Sequence, residues 1–466
     1  MIGSGTLTKQ LASYFAGVNY DALDGAALRV TKEHILYTLG TVLAGSSAPG
    51  AQEVRAGARA FGAGQESSVL PFGEKLPAPA AALVNASMAH SRELDINDDR
   101  IAYKSSVAAV PAGLALAEKF GGFSGKNFIA AVCVGVDFGI RLGLATNPKP
   151  VHAQAIALGP LAAAVTCGKL LGLDADGMAD TLGIAYCRVS FTGNSTVSPS
   201  LTKRLGIGFA AQSGVLAALL AQAGFPGAGE LFQGKGGYYN FFFNQEGDYA
   251  SILDQLGQRF EIVEVGPKPY PSCRYTHPAV TGVLSLLGKH SLRADDIAEV
   301  RVEIGERDMR SVGGWTEEDK RNKYRPRGIV DAQFSIPYTV AATLLRGRLS
   351  LAEFTDAELG NEDILRLAGR VTTILRPELD NWPLDVKPQL LEIITRDGQS
   401  YRERVDYPKG NPKNPVTSAE LVESFRSMAG YSALPLTPAK IDDAIEFILN
   451  LEKAPDVSAI AQLLTA

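Results

Sequence analysis

Gly266-Pro-Lys-Pro-Tyr-Pro-Ser-Cys-Arg-Tyr-Thr-His277 divides the chain into two textures. On its N-terminal side, apolar residues recur at three and four positions in Ala-rich and Leu-rich runs, the period of helices that bury one face. The spacing predicts helices near 26–43, 80–90, 107–120, 126–142, 159–171 and 209–223. Several are apolar nearly all round, as in 161–171 and 210–220, and such helices belong in the middle of a large helical core. On the C-terminal side the period changes to two. Val300-Arg-Val-Glu-Ile304 alternates, and 390–396 and 400–405 flank Asp397-Gly398, a strong hairpin signal.

Residues 336–345 and 363–370 read as helices between those strands. After the turn-rich Pro408-Lys-Gly-Asn-Pro-Lys-Asn-Pro415 the helical pattern returns in 418–428, 437–450 and 457–464. The expected fold is therefore mainly α: a large all-helical domain, 1–265 and 412–466, with a smaller α+β lid domain, 266–411, inserted in it.

Bulk properties narrow the function. The 466 residues are 46% hydrophobic and 20% charged, an ordinary globular balance, and the net charge of −5 comes without a basic block that could track phosphates. Nucleic acid is excluded as a partner. No basic leader followed by an apolar core opens the chain, and no run reaches the 18 or so apolar residues of a membrane span, which predicts a soluble, cytoplasmic protein. Cys133, Cys167, Cys187 and Cys273 are too scattered for a disulfide framework or a CxxC site, and the first three read as core residues. The five histidines, at 34, 90, 152, 277 and 290, include no pair at the i, i+4 spacing of a zinc helix. Gly234-Lys-Gly-Gly237 lacks the GxxxxGK[ST] form of a P-loop and reads as a turn. The expectation is an enzyme with no cofactor and no metal.

Three segments concentrate chemistry. His90-Ser-Arg-Glu-Leu-Asp-Ile-Asn-Asp-Asp-Arg100, ending at Tyr103-Lys104-Ser105, packs acids and bases between two strongly apolar helices, where charges must be solvated, paired or used. A solvated interhelical loop is the plainer explanation. Lys268, Arg274, Tyr275 and His277 meet at a predicted domain junction, where clefts form. Lys203-Arg204 opens an apolar helix, placing two cations against the positive end of the helix dipole, a local violation of the kind function imposes.

Taken together, these segments resemble the MmgE/PrpD family, which includes 2-methylcitrate dehydratase, cis-aconitate decarboxylase and iminodisuccinate epimerase. The family's Ala-His-Ala-x-Asp-x-Asp-Asp loop corresponds to residues 89–96, its Lys-x-Leu-His-x-Gly-x-Ala-Ala to 203–211, its Lys-Pro-Tyr-Pro-x-Cys-Arg-Tyr-Thr-His is matched in full at 268–277, and Phe-Ser-x-Pro-Tyr at 334–338. The resemblance implies a homodimer with the active site in a cleft between domains. It nominates Lys203, His277, Lys104, Asp95 and Tyr275 as catalytic residues. His90, Arg92, Arg100, His152, Arg204, Arg274 and Tyr338 are nominated for substrate binding.

The departures set the expected reaction. Glu93 and Ile96 stand where the family has Asp, Lys104 replaces the histidine of His-Pro-Ser, and Gly206 replaces the histidine after Leu205. Losing two histidines removes groups that titrate near neutral pH and serve as acid and then base in a dehydration. The remaining lysines and arginines suit a small polycarboxylate substrate and an enolate-like charge. Among family members the pattern is most similar to iminodisuccinate epimerase, so the expected function is two-base inversion at the α-carbon of a polycarboxylate. A hydro-lyase of the methylcitrate dehydratase type is the runner-up, and a binding homologue that has lost catalysis the alternative from another class.

Overall fold

The computed structural model describes residues 5–101, 103–146, 154–190, 201–244 and 247–466. They are mainly helical with two small sheets. The chain divides into two compact units: Met1–Ser91 with Asp95–Gly266 and Thr417–Ala466, and Arg92–Leu94 with Pro267–Val416.

In the first unit the helices bury their apolar residues against one another. Gly25–Gly45, Ala78–Ala89, Ser106–Phe120, Gly125–Leu144, Gln154–Leu170 and Thr202–Gln222 pack on one another, and Ser418–Ala429 and Pro438–Leu449 pack against Gly25–Gly45. Close approach requires glycine where Thr202–Gln222 crosses Gln154–Leu170: a Cβ on Gly214 would lie 2.4 Å from Ala163 Cβ. Gly125–Leu144 and Thr202–Gln222 are long and apolar enough to span a bilayer, which corrects the expectation that no segment reaches that length. Packing explains the first, since 89% of its apolar window is buried inside the unit. A further correction concerns Cys187, which ends the helix Ala175–Tyr186 and is exposed, whereas Cys133 and Cys167 are buried.

One buried ion pair fixes the segment that the site later uses. Asp137 and Arg141 lie one turn apart on Gly125–Leu144, with Arg141 Nε 2.8 Å from Asp137 Oδ2. The guanidinium also donates to the carbonyls of Ile252, Asp254 and Arg259, and Asp137 accepts from the Glu261 amide at 2.5 Å. A guanidinium this deep is tolerable because every side of it meets an acceptor. The result is that 252–261 is stapled to the helix.

The second unit is built on a four-stranded sheet. With β1 (Ser67–Val69) and β2 (Glu74–Leu76) forming a short hairpin in the first unit, the sheet comprises β3 (Ile297–Ile304), β4 (Val371–Leu375), β5 (Gln389–Thr395) and β6 (Ser400–Val405) in the order β4-β3-β5-β6. β3 pairs parallel with β4 and antiparallel with β5, and β5 and β6 form the hairpin closed by Gly398 at φ 83°. Period-two burial along β5 turns Leu391 and Ile393 onto a core shared with Val283 and Leu286 of the helix His277–Lys289 and Val340 and Leu344 of the helix Ile336–Arg346. That packing holds the N-terminus of His277–Lys289 against β5.

Candidate active site

In the first unit the helix Ala78–Ala89 ends by delivering His90 as its C-terminal cap. His90 Nδ1 lies 2.6 Å from Asp95 Oδ1, and both side chains are buried. With the carboxylate accepting, Nδ1 carries the hydrogen and the ring orientation is set. The chain then folds into a compact loop. Asp98 donates from its amide to the Tyr103 carbonyl at 2.9 Å, and Arg100 forks onto Asp98 with Nε–Oδ1 3.0 Å and Nη2–Oδ2 2.7 Å. Its Nη1 reaches Glu261 Oε2 at 2.6 Å. Burial favours the neutral acid at Glu261, yet Arg100 and Arg259 together hold its carboxyl below the usual carboxylate range. Arg100, nominated for substrate, is thus bound to two carboxylates of its own chain.

Lys104 is half-buried and its ammonium donates to Asn97 Oδ1, while Asn97 Nδ2 donates to Asp99 Oδ1 at 3.0 Å. Lys203 and Arg204 occupy the first turn of Thr202–Gln222, whose N-cap Leu201 supplies no side-chain hydrogen bond. Arg204 Nη1 donates to the Pro49 carbonyl at 3.1 Å. His152 and residues 191–200 lie outside the described residues.

In the second unit Arg92 is half-buried and its carbonyl accepts from Gln333 Nε2 at 3.2 Å. Glu93 takes a left-handed backbone, φ 55°, and brings Oε2 to 3.4 Å from the ammonium of Lys268, a lysine with no exposed side-chain surface. Arg274 and His277 come together: Nη1 of the arginine is 3.0 Å from Nδ1 of the imidazole and 2.8 Å from the Lys409 carbonyl. His277 Nε2 is 3.4 Å from the Ser272 carbonyl. Tyr275 and Tyr338 are placed differently from the others. Tyr275 donates its hydroxyl to Asp385 Oδ2 at 2.8 Å, and Arg307 binds the same carboxylate. Tyr338 is buried in an apolar cluster and donates to the Glu353 carbonyl at 2.7 Å.

Sequence reasoning overlooked Asn97 as the partner of Lys104, the Glu93–Lys268 pair, Glu261, and Gln389 with Asp308. Asn97 stands seven residues from Lys104 in the same charged segment, where a search for local polar partners would have raised it, whereas Glu93 and Lys268 lie 175 residues apart and Arg100 and Glu261 lie 161 apart. Gln389 and Asp308 carry no local signal. Among the described residues, no three His, Cys, Asp or Glu side chains cluster as metal ligands would.

The MmgE/PrpD N-terminal domain matches residues 9–249 and the MmgE/PrpD C-terminal domain matches 270–447, so the chain belongs to the MmgE/PrpD family. Its relatives include a cis-aconitate decarboxylase of Aspergillus terreus, 26% identical over 98% of this chain and 96% of that protein. The cis-aconitate decarboxylases of Homo sapiens and Mus musculus are each 26% identical over 98% of this chain, covering 94% and 93% of theirs. These relatives overturn the expectation of an iminodisuccinate-type epimerase. They are named as decarboxylases, which are lyases, and not as isomerases. Counting missing histidines misled, because it measured distance from a dehydratase alone and left decarboxylation unweighed.

Proposed function

We propose that this chain is a cofactor-independent lyase that breaks a bond at a carbon beside a carboxylate of a small polycarboxylate, with decarboxylation of a cis-aconitate-like substrate as its first reaction. The observation that carries this reading is likeness to cis-aconitate decarboxylases across 98% of the chain.

The chemistry is consistent with the residues present. When a carboxylate attached next to an alkene leaves as CO2, the electron pair of the broken C–C bond spreads into the alkene and the remaining carboxylates. Cations placed where that charge develops lower the barrier, and a proton returned to carbon completes the product. Lys104, Lys203 and Arg204 are the candidates for pairing with the carboxylates. His277, His90 and Asp95 are the candidates for holding and returning the proton. In this reading 1–265 with 412–466 form the large domain and 266–411 the inserted one.

Loss of water from a hydroxylated tricarboxylate is the second reading, and Lys104 and Gly206 argue against it. Dehydration must protonate a departing hydroxide, and the two family histidines suited to that are replaced in this chain. Decarboxylation has no hydroxide to protonate. Proton NMR on cis-aconitate, citrate and 2-methylcitrate in parallel separates the two. Decarboxylation of the first alone supports the proposal, water loss from either hydroxy acid favours the second reading, and turnover of none removes both.

The proposal includes a homodimer. Phe209, Leu216 and Leu220, spaced along one side of Thr202–Gln222, are 45%, 40% and 36% exposed, an apolar stripe suited to a second copy. Light scattering on the purified chain tests this, and a monomer at micromolar concentration would remove it.

A further inference from the structure

His277 is the first residue of the helix His277–Lys289, and the backbone on both sides of it is gripped by one side chain. Gln389, the first residue of β5, accepts from the Ala279 amide at Oε1 (3.0 Å) and donates from Nε2 to the Tyr275 carbonyl (2.7 Å). The amide orientation is unambiguous, because an N–H donor and a carbonyl acceptor dictate which end faces which. The same Nε2 donates to Asp308 Oδ2 at 2.8 Å. Gln389 and Asp308 are both buried.

We infer that Gln389 and Asp308 are positioning residues for His277, clamping the chain two residues before and two residues after it so that the imidazole is held in one place. The inference rests on the proposed function for the claim that His277 matters to turnover. Gln389 has no other evident reason to be a polar residue at an inward position of β5, where Leu391 and Ile393 are apolar. Asp308 is costly where it stands. Its Oδ1 meets no hydrogen-bond partner among the described residues, and burial pushes its carboxyl up to about 7 against the pull of Gln389 and Arg307. Lys387 also favours ionisation and Asp380 opposes it. A buried, incompletely bonded acid kept at such expense is the pattern of a residue retained for position.

Neither residue is placed to touch substrate, so the effect should fall on kcat more than on KM. Displacement of a reacting group by about 1 Å can cost on the order of a hundredfold in rate. The test uses the full chain with 15N-labelled histidine and the variants Gln389→Leu, Asp308→Ala and Asp308→Asn, each checked for folding by circular dichroism. Gln389→Leu and Asp308→Ala are expected to lower kcat on cis-aconitate about tenfold or more, with KM within about twofold. They should also move the His277 ring 15N resonances from a single tautomer toward an average. Asp308→Asn, which keeps an acceptor for Gln389, should restore both readouts. Folded Gln389→Leu and Asp308→Ala proteins with wild-type His277 resonances would overturn the inference, and if Gln389→Leu does not fold, Asp308→Ala decides by the same criterion. Should the unaltered chain turn over no polycarboxylate, the lyase reading fails while the resonances still decide whether the clamp exists.

Discussion

Arg274 donates to Nδ1 of His277 across 3.0 Å, and a guanidinium has no lone pair with which to accept. Nδ1 must therefore be the acceptor, so the ring hydrogen sits on Nε2, the nitrogen 3.4 Å from the Ser272 carbonyl. The pair leaves His277 a hydrogen-bond donor through Nε2, the nitrogen that under the proposed function would hold and return the proton. Removal of the arginine should free the ring to change tautomer. Arg274→Ala is expected to lower kcat about ten- to a hundredfold, measured by steady-state turnover of cis-aconitate. An unchanged kcat would detach Arg274 from the site.

Arg100 predicts a stability effect instead. Its guanidinium joins Asp98 and Glu261, whose side chains are 0% and 1% exposed. Arg100→Met would leave the buried Asp98 without its counter-charge and Glu261 with Arg259 alone, a change that costs about 3–5 kcal/mol. The urea midpoint should fall accordingly. A shift worth less than about 1 kcal/mol would show that the pair is solvated.

His34 sets an acid limit. It is buried on Gly25–Gly45, donates to the Val265 carbonyl, and burial holds its pKa near 4 against an ordinary 6.5. Between those values the unfolded chain binds a proton that the folded chain refuses. Stability from this group is complete above about pH 6.5 and is lost as the pH falls toward 4, amounting to about 3 kcal/mol at about 1.4 kcal/mol per pH unit. His34→Gln, which keeps a donor, should lose less stability than the parent between pH 6.5 and 4.5 in urea titrations. Parallel curves would refute it.

Asp308 acts in the opposite direction. Its carboxyl, near 7 in the folded chain and 3.8 unfolded, makes the folded state bind the extra proton between those values. Its burial therefore costs stability as pH rises from about 4 to 7, by about 4 kcal/mol in all. Asp308→Asn should raise the urea midpoint at pH 8 more than at pH 5. The reverse order would contradict the assignment.

Period disclosed most of the helices, because apolar residues recurring at three and four positions mark the buried face of a helix, as along Gly125–Leu144. The Asp397-Gly398 hairpin was equally legible, since Gly398 at φ 83° is what the turn demands. β1 and β2, three residues each, are too short to show a period, and β4 follows a helix directly. The site was legible as a list of motif residues and illegible as a set of partnerships. Nothing near Arg100 in sequence announces Glu261, and the Tyr338 hydroxyl gives no sign that it goes to the Glu353 carbonyl. Hydrogen bonds between residues distant in sequence decide which polar groups are structural, and spacing cannot reveal them.

The most direct test of the lyase reading is release of 13CO2 from uniformly 13C-labelled cis-aconitate by the purified chain, followed by mass spectrometry of the headspace. The proposed function predicts one labelled CO2 for each cis-aconitate consumed and a five-carbon dicarboxylate left in solution. Absence of labelled CO2, with the six-carbon skeleton intact in solution, would contradict it.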